Sequence, residues 1–126
     1  MNLSEYFEKA RGYGILATAD GEGKVDAAMY ARPHFLDSET LIFIMAERLT
    51  HQNLQSNPHA VYLFIENKQG YAGKRLYLIK SKEEINDDLV EEICRRCDYS
   101  HYRGSLTRYV AYFNVEKVLP LVGSGD

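Results

Sequence analysis

The chain has 126 residues, 45% of them hydrophobic and 26% charged, which fits one compact domain over residues 1–126 and excludes a disordered chain. The net charge of −3 gives nucleic-acid binding, which needs a basic face, no support, and no apolar run approaches the ~20 residues of a membrane span. The N-terminal MNLSEYFEKARGYG lacks a basic segment followed by an apolar core, so no signal peptide is expected and the cytoplasm is the default location; two Cys in one short segment provide no disulfide framework.

In chain order, Asn2 and Glu5 have the spacing of a capping box, and Leu3, Tyr6, Phe7 and Ala10 fall on one helical face. A helix is expected over residues 2–11, laid across a barrel mouth and ended by Gly12 and Gly14. Tyr13 to Ala19 reads as the first strand, Asp20-Gly21-Glu22-Gly23 as a hairpin turn, and Lys24 to Phe35 as a long second strand. Ala27 and Ala28 are small enough to let another backbone or a flat ligand approach. Pro33 cannot donate to a ladder and marks an edge or a bulge. After a turn at Asp37-Ser38-Glu39-Thr40, the third strand starts at Leu41.

Leu41 to Pro58, LIFIMAERLTHQNLQSNP, organises the rest. Its opening apolar run reads as a strand buried on both faces. Glu47 and Arg48 break the run, Thr50 is suited to cap a short helix, and Asn57-Pro58 ends it. A helix start offers free N–H groups and a partial positive charge. With the Thr50 hydroxyl and the Arg48 guanidinium it can hold an anion of phosphate size. From local chemistry alone, a solvated Arg48 and a self-capping Thr50 explain the same residues.

Beyond Pro58, His59 to Glu66 and Lys74 to Lys80 read as the fourth and fifth strands. Asn86-Asp87-Asp88 opens a second substantial helix whose apolar stripe is Leu89, Val90, Ile93 and Cys97. Asp98 to Gly104 is a polar aromatic loop, Leu106 to Val115 a last strand that Val118 to Val122 extends, and residues 123–126 a frayed tail. Six antiparallel strands at hairpin spacing argue for a closed or nearly closed barrel. Several strands are apolar on both faces, which suggests a partner chain. Ten Tyr, five Phe and no Trp suit an interface or a ligand pocket.

Cys94-Arg95-Arg96-Cys97 has the spacing of a redox pair or half a zinc site, with His101 nearby. Without a second CxxC or a thioredoxin-like context it reads as two helix residues one turn apart, and no metal is expected. His34, His51, His59 and His101 accompany no nucleophile motif, so no catalytic residue is assigned. His51, at the helix start, can assist an anion if protonated. Tyr99, Tyr102 and Arg103 suit either a ring cover or a dimer rim, and Tyr109, Tyr112 and Phe113 suit strand packing.

The order AAMYARPHF, a turn at DSET, LIFIMAERLTHQNLQSNP and AVYLFIE resembles the pyridoxamine 5′-phosphate oxidase-like flavoproteins, and GYAGKRLYLIKSKEEI resembles the family's next strand. The resemblance implies a mostly β fold, a six-stranded antiparallel split β-barrel of Greek-key type with flanking helices, and a homodimer with FMN at the subunit interface. It implies that Ala28, Met29, Tyr30 and Ala31 border the flavin ring. Arg32, Arg48, Thr50 and Asn53 are the matching phosphate candidates, with Met45, Ala46 and Leu49 flanking them. The function implied is an FMN-dependent oxidoreductase that passes electrons or hydride between a small-molecule donor and acceptor. The alternative is a non-enzymatic module of the same fold that stores flavin, carries electrons, or binds another planar cofactor such as haem.

Overall fold

The computed structural model describes residues 2–96 and 107–123. The first helix, α1 (Leu3–Lys9), is capped by Asn2, whose side chain accepts from the Glu5 amide. Strands β1 (Gly12–Ala19) and β2 (Val25–Met29) form a hairpin whose turn uses Gly23 at φ +88°. There Asp20 accepts from the Glu22 and Lys24 amides. Next come β3 (His34–Phe35), β4 (Thr40–Ala46), α2 (Leu49–Ser56), β5 (His59–Glu66), β6 (Gly73–Glu84), α3 (Asp87–Arg96) and β7 (Arg108–Pro120). Asn57 is the C-cap of α2, ahead of Pro58, and Asn86 caps α3 through the Leu89 amide. Among the described residues no helix is long and apolar enough to cross a membrane.

All these strands belong to one antiparallel sheet in the order β2-β1-β5-β6-β7-β4-β3. Its two edges, β2 and β3, are successive pieces of chain separated only by Tyr30–Pro33, so the sheet curls round and the chain itself bridges the seam. This corrects the expected second strand: the run from Lys24 to Phe35 is two strands, and seven are formed where six were expected. Pro33 supplies the reason, since it is buried, carries no N–H, and holds its predecessor off a regular ladder. Further boundaries move: α1 stops at Lys9, with Gly12 and Gly14 already in β1, β6 runs on to Glu84, and β7 is one continuous strand to Pro120.

Inside the barrel lie Leu16, Leu41, Phe43, Met45, Tyr62, Phe64, Leu76, Leu78 and Phe113. Helix α1 closes one end: Phe7 stacks on Phe35 at 5.8 Å and meets Phe64 edge-on at 5.1 Å. Strand β4 is buried along both faces, as its apolar run implies. The outward residues Ile42 and Ile44 lie beneath Val90 and Ile93 of α3. That helix, not a partner chain, covers this part of the outer surface. Cys97, the loop with Tyr99, His101, Tyr102 and Arg103, and the Cys94 side chain lie outside the described residues.

Candidate functional site

Helix α2 runs across the other barrel end, packed on β1, β2 and β4. It starts two residues earlier than a Thr50 cap would place it. Arg48 is the N-cap, with φ −131° and ψ −172°, and no side chain caps the helix. Thr50 is only 3% exposed, because it already lies in the first turn on the inward face. The Gln52 amide bonds the Arg48 carbonyl at 2.9 Å, so the amides before Gln52 point past the helix end. Arg48 itself is exposed, and among the described residues its guanidinium has no hydrogen bond or ion pair. A cation at the positive end of a helix, where a Ser or Asp cap is preferred, is locally unfavourable. An anion seated there reverses the sign.

The seam between β2 and β3 lies along β4, the strand that leads into this helix. Extending the pairing of His34 with Ile42 and Phe35 with Leu41 sets Tyr30–Arg32 opposite Ile44–Ala46, and Arg48 follows two residues later. The ladder is open there. Tyr30 is held from the β1 side: its amide bonds Gly14 O at 3.0 Å, and its carbonyl accepts from the Tyr62 hydroxyl at 3.1 Å. Ala31 comes next, exposed, and among the described residues its amide and carbonyl take no hydrogen bond. Between this segment and β4 is a slit lined by Tyr30, Ala31, Arg32, Phe43, Ile44 and Ile93, with His34. Its free volume is about 10 Å³, room for a single water. Ala31, with its unpaired amide and carbonyl, is among the residues that line it.

The other expected site residues are placed as follows. Ala28 is half-buried on the inward side of β2, and Met29 is 63% exposed on the outward side. Met45 and Ala46 are buried at the end of β4, and Leu49 is 52% exposed at the helix start. Asn53 is buried and donates to Thr18 Oγ1 at 3.1 Å, fastening α2 to β1. The Arg32 guanidinium donates to the carbonyls of Phe7 at 2.7 Å and Ala10 at 3.1 Å, a cation at the negative end of α1.

His51 is turned inward, 7% exposed. Its ring stacks on Tyr109 at 4.0 Å and 15°, and Nε2 lies 2.9 Å from Glu83 Oε2. Gln55 donates to Glu83 Oε1 at 2.9 Å and to the His51 carbonyl at 3.0 Å, and Lys80 pairs with the same carboxylate. Burial alone raises the Glu83 carboxyl. The hydrogen bonds from Lys80, Gln55 and His51, with the Lys80 charge, outweigh it and hold the group at about 2 against an ordinary 4.5. A carboxyl depressed in the folded state contributes stability above its unfolded value, and that contribution disappears as pH falls from 4.5 towards about 2. Glu83→Gln should therefore flatten the loss of thermal stability between about pH 5 and about pH 3. Melts of both proteins at the two pH values check this, and parallel losses would refute it. Sequence reading did not reach Gly14, Tyr62, Lys80, Glu83 or the Tyr109 stack, because these meet only through strand pairing.

No family model matches the chain, and no curated protein matches its sequence. Solved structures do match. An FMN-binding protein from Syntrophomonas wolfei subsp. wolfei superposes with a TM-score of 0.77 at 19% identity, over 94% of this chain and 83% of that one. A putative pyridoxamine 5′-phosphate oxidase from Lactobacillus delbrueckii gives 0.69 at 14% identity, over 94% and 92%. A FAD-binding protein from Mesorhizobium loti gives 0.61 at 15% identity, over 90% and 86%. The chain has the split β-barrel fold of the pyridoxamine 5′-phosphate oxidase-like proteins.

In this split barrel the outer face of β2, β1, β5 and β6 stays uncovered by any described helix. Ala17, Ala19, Val25, Val61 and Tyr77 line an open, largely apolar groove of about 360 Å³ there, with Asn57, His59 and Glu116 also lining it. Val25 is 84% exposed, and an edge strand showing Val and Met to water invites a covering surface.

Proposed function

We propose that this protein binds FMN and acts as an oxidoreductase that passes electrons or hydride between a small donor and a small acceptor. The observation that carries the reading is the α2 start: an uncapped helix with an exposed, unpaired arginine at its N-cap among the described residues, at the end of β4, the strand that faces the break at Ala31. FMN needs an anion seat for its phosphate and a narrow slot with polar groups for its ring. Arg48 and the first-turn amides fit the phosphate, with Leu49 shielding one side. Tyr30 and Ala31 fit the ring edge, with the Ala31 amide and carbonyl as donor and acceptor, and Ala28 and Met29 fit beside them.

FMN, when bound, supplies the redox chemistry, and the chain's own groups bind and orient it. Tyr62 fixes the Tyr30 carbonyl, Asn53 and Thr18 anchor the helix across the barrel end, and Phe43 and Ile44 keep water from the slit's floor. The slit is too narrow to enclose a flavin ring, so the ring lies against its lip and its open face needs a second wall. The reading therefore includes a homodimer in which a second copy covers the apolar outer face of β2, β1 and β5. Affinity for FMN above that for riboflavin and FAD, dimers in sedimentation, and rapid bleaching of the bound flavin by NADH or NADPH would support it. Failure to bind any flavin would overturn it. Binding without reduction would leave a flavin store or carrier instead of an enzyme.

A further inference from the structure

The cluster beneath α2 is expensive to build. Residues three apart on a strand face opposite sides, yet Lys80 and Glu83 both pair with core-facing residues, Phe113 and Ala111. The strand achieves this with a bulge: β6 advances two residues from Lys80 to Lys82 while β7 advances one, leaving Ser81 as the extra residue. Ser81 Oγ donates to Tyr112 O at 3.2 Å and pins the bulge. The bulge turns a carboxylate inward, where its side chain is only 22% exposed and those of His51 and Lys80 only 9% and 10%. Ion pairs buried in this way add little net stability over apolar packing, so stability alone does not account for the arrangement. What the cluster does hold is a direction. His51 is the third residue of α2, gripped by Glu83 at Nε2 and by the Tyr109 ring across its face.

We infer that His51, braced by Glu83 and Tyr109, is a positioning residue that fixes the start of α2 in register with the seam, so that its amides and Arg48 converge on one phosphate. This inference rests on the flavin reading above. His51 does not touch the phosphate, since its ring is buried against Tyr109 and its Nε2 faces Glu83. It acts through the helix backbone.

The test compares dissociation constants for FMN and for riboflavin, which lacks the phosphate, in wild type, Arg48→Ala, His51→Leu and Tyr109→Leu. Amide hydrogen exchange at Leu49, Thr50 and position 51 is followed in the flavin-free proteins. In both brace variants the preference for FMN should drop roughly threefold to thirtyfold, with riboflavin affinity unchanged and faster exchange confined to the α2 start. An intact preference, or equal losses for both ligands, would overturn the inference. If His51→Leu does not fold, Tyr109→Leu decides. A wild type without preference for FMN removes the anion seat and the inference together. A preference lost in Arg48→Ala but intact in the brace variants removes the inference alone.

Discussion

Arg48→Ala is expected to weaken FMN binding by about ten- to a hundredfold, the loss of one charge-assisted contact at about 1.5–3 kcal/mol. Riboflavin affinity should stay where it is. The flavin-free protein should melt no lower than wild type, because the substitution removes a cation from the positive end of a helix. The combination is informative. A residue that merely supports the fold would lower stability and both affinities together. The physical ground is that Arg48 is an exposed N-cap residue with no partner among the described residues, so removing it orphans nothing in the empty protein. Isothermal titration with both ligands and a melt without ligand read the three quantities. Unchanged FMN affinity would place the phosphate elsewhere.

Gly14→Ala is expected to destabilise the fold by about 2–4 kcal/mol, combining overpacking with loss of the hydrogen bond from the Tyr62 hydroxyl to Tyr30 O. A Cβ there would sit 1.8 Å from the Tyr62 hydroxyl oxygen and 2.7 Å from Tyr30 O. The phenol has nowhere to retreat, since Tyr62 is fully buried among Phe7, Phe43 and Phe64. The ring would have to leave its place, and its hydrogen bond to Tyr30 would go with it. That bond holds the segment leading into Ala31, so flavin affinity should fall in parallel with stability. Urea unfolding measures the first effect, and wild-type stability in Gly14→Ala would contradict the packing described here.

Much of this architecture was legible residue by residue. Asn2, Asn86 and the Asp20–Gly23 turn state their local structures through caps and positive φ, which neighbouring side chains decide. The run from Leu41 to Met45 declares burial on both faces, though not that α3 covers one of them, because the covering element lies some fifty residues away. The strand from Lys24 to Phe35 looked continuous because alternation persists through Tyr30. Pro33 signalled an irregularity, and only closure of the barrel showed that it splits the strand. At the site, Arg48 stood out for its charge beside a helix start. Thr50 has the chemistry of a cap, and only its burial in the first turn shows that Arg48 takes that place. Glu83 reaches the interior only through the extra residue at Ser81, and no pattern of period two reveals a bulge.

The most direct measurement is an FMN titration of the flavin-free protein followed by backbone amide resonances. Saturating shifts at Leu49, Thr50 and His51, together with Ala31 and Arg32, are the predicted result, with the helix-start shifts absent when riboflavin replaces FMN. Shifts confined to the outer groove around Val61 and Tyr77, or no shifts at all, would contradict a phosphate seat at α2 and a ring at the seam.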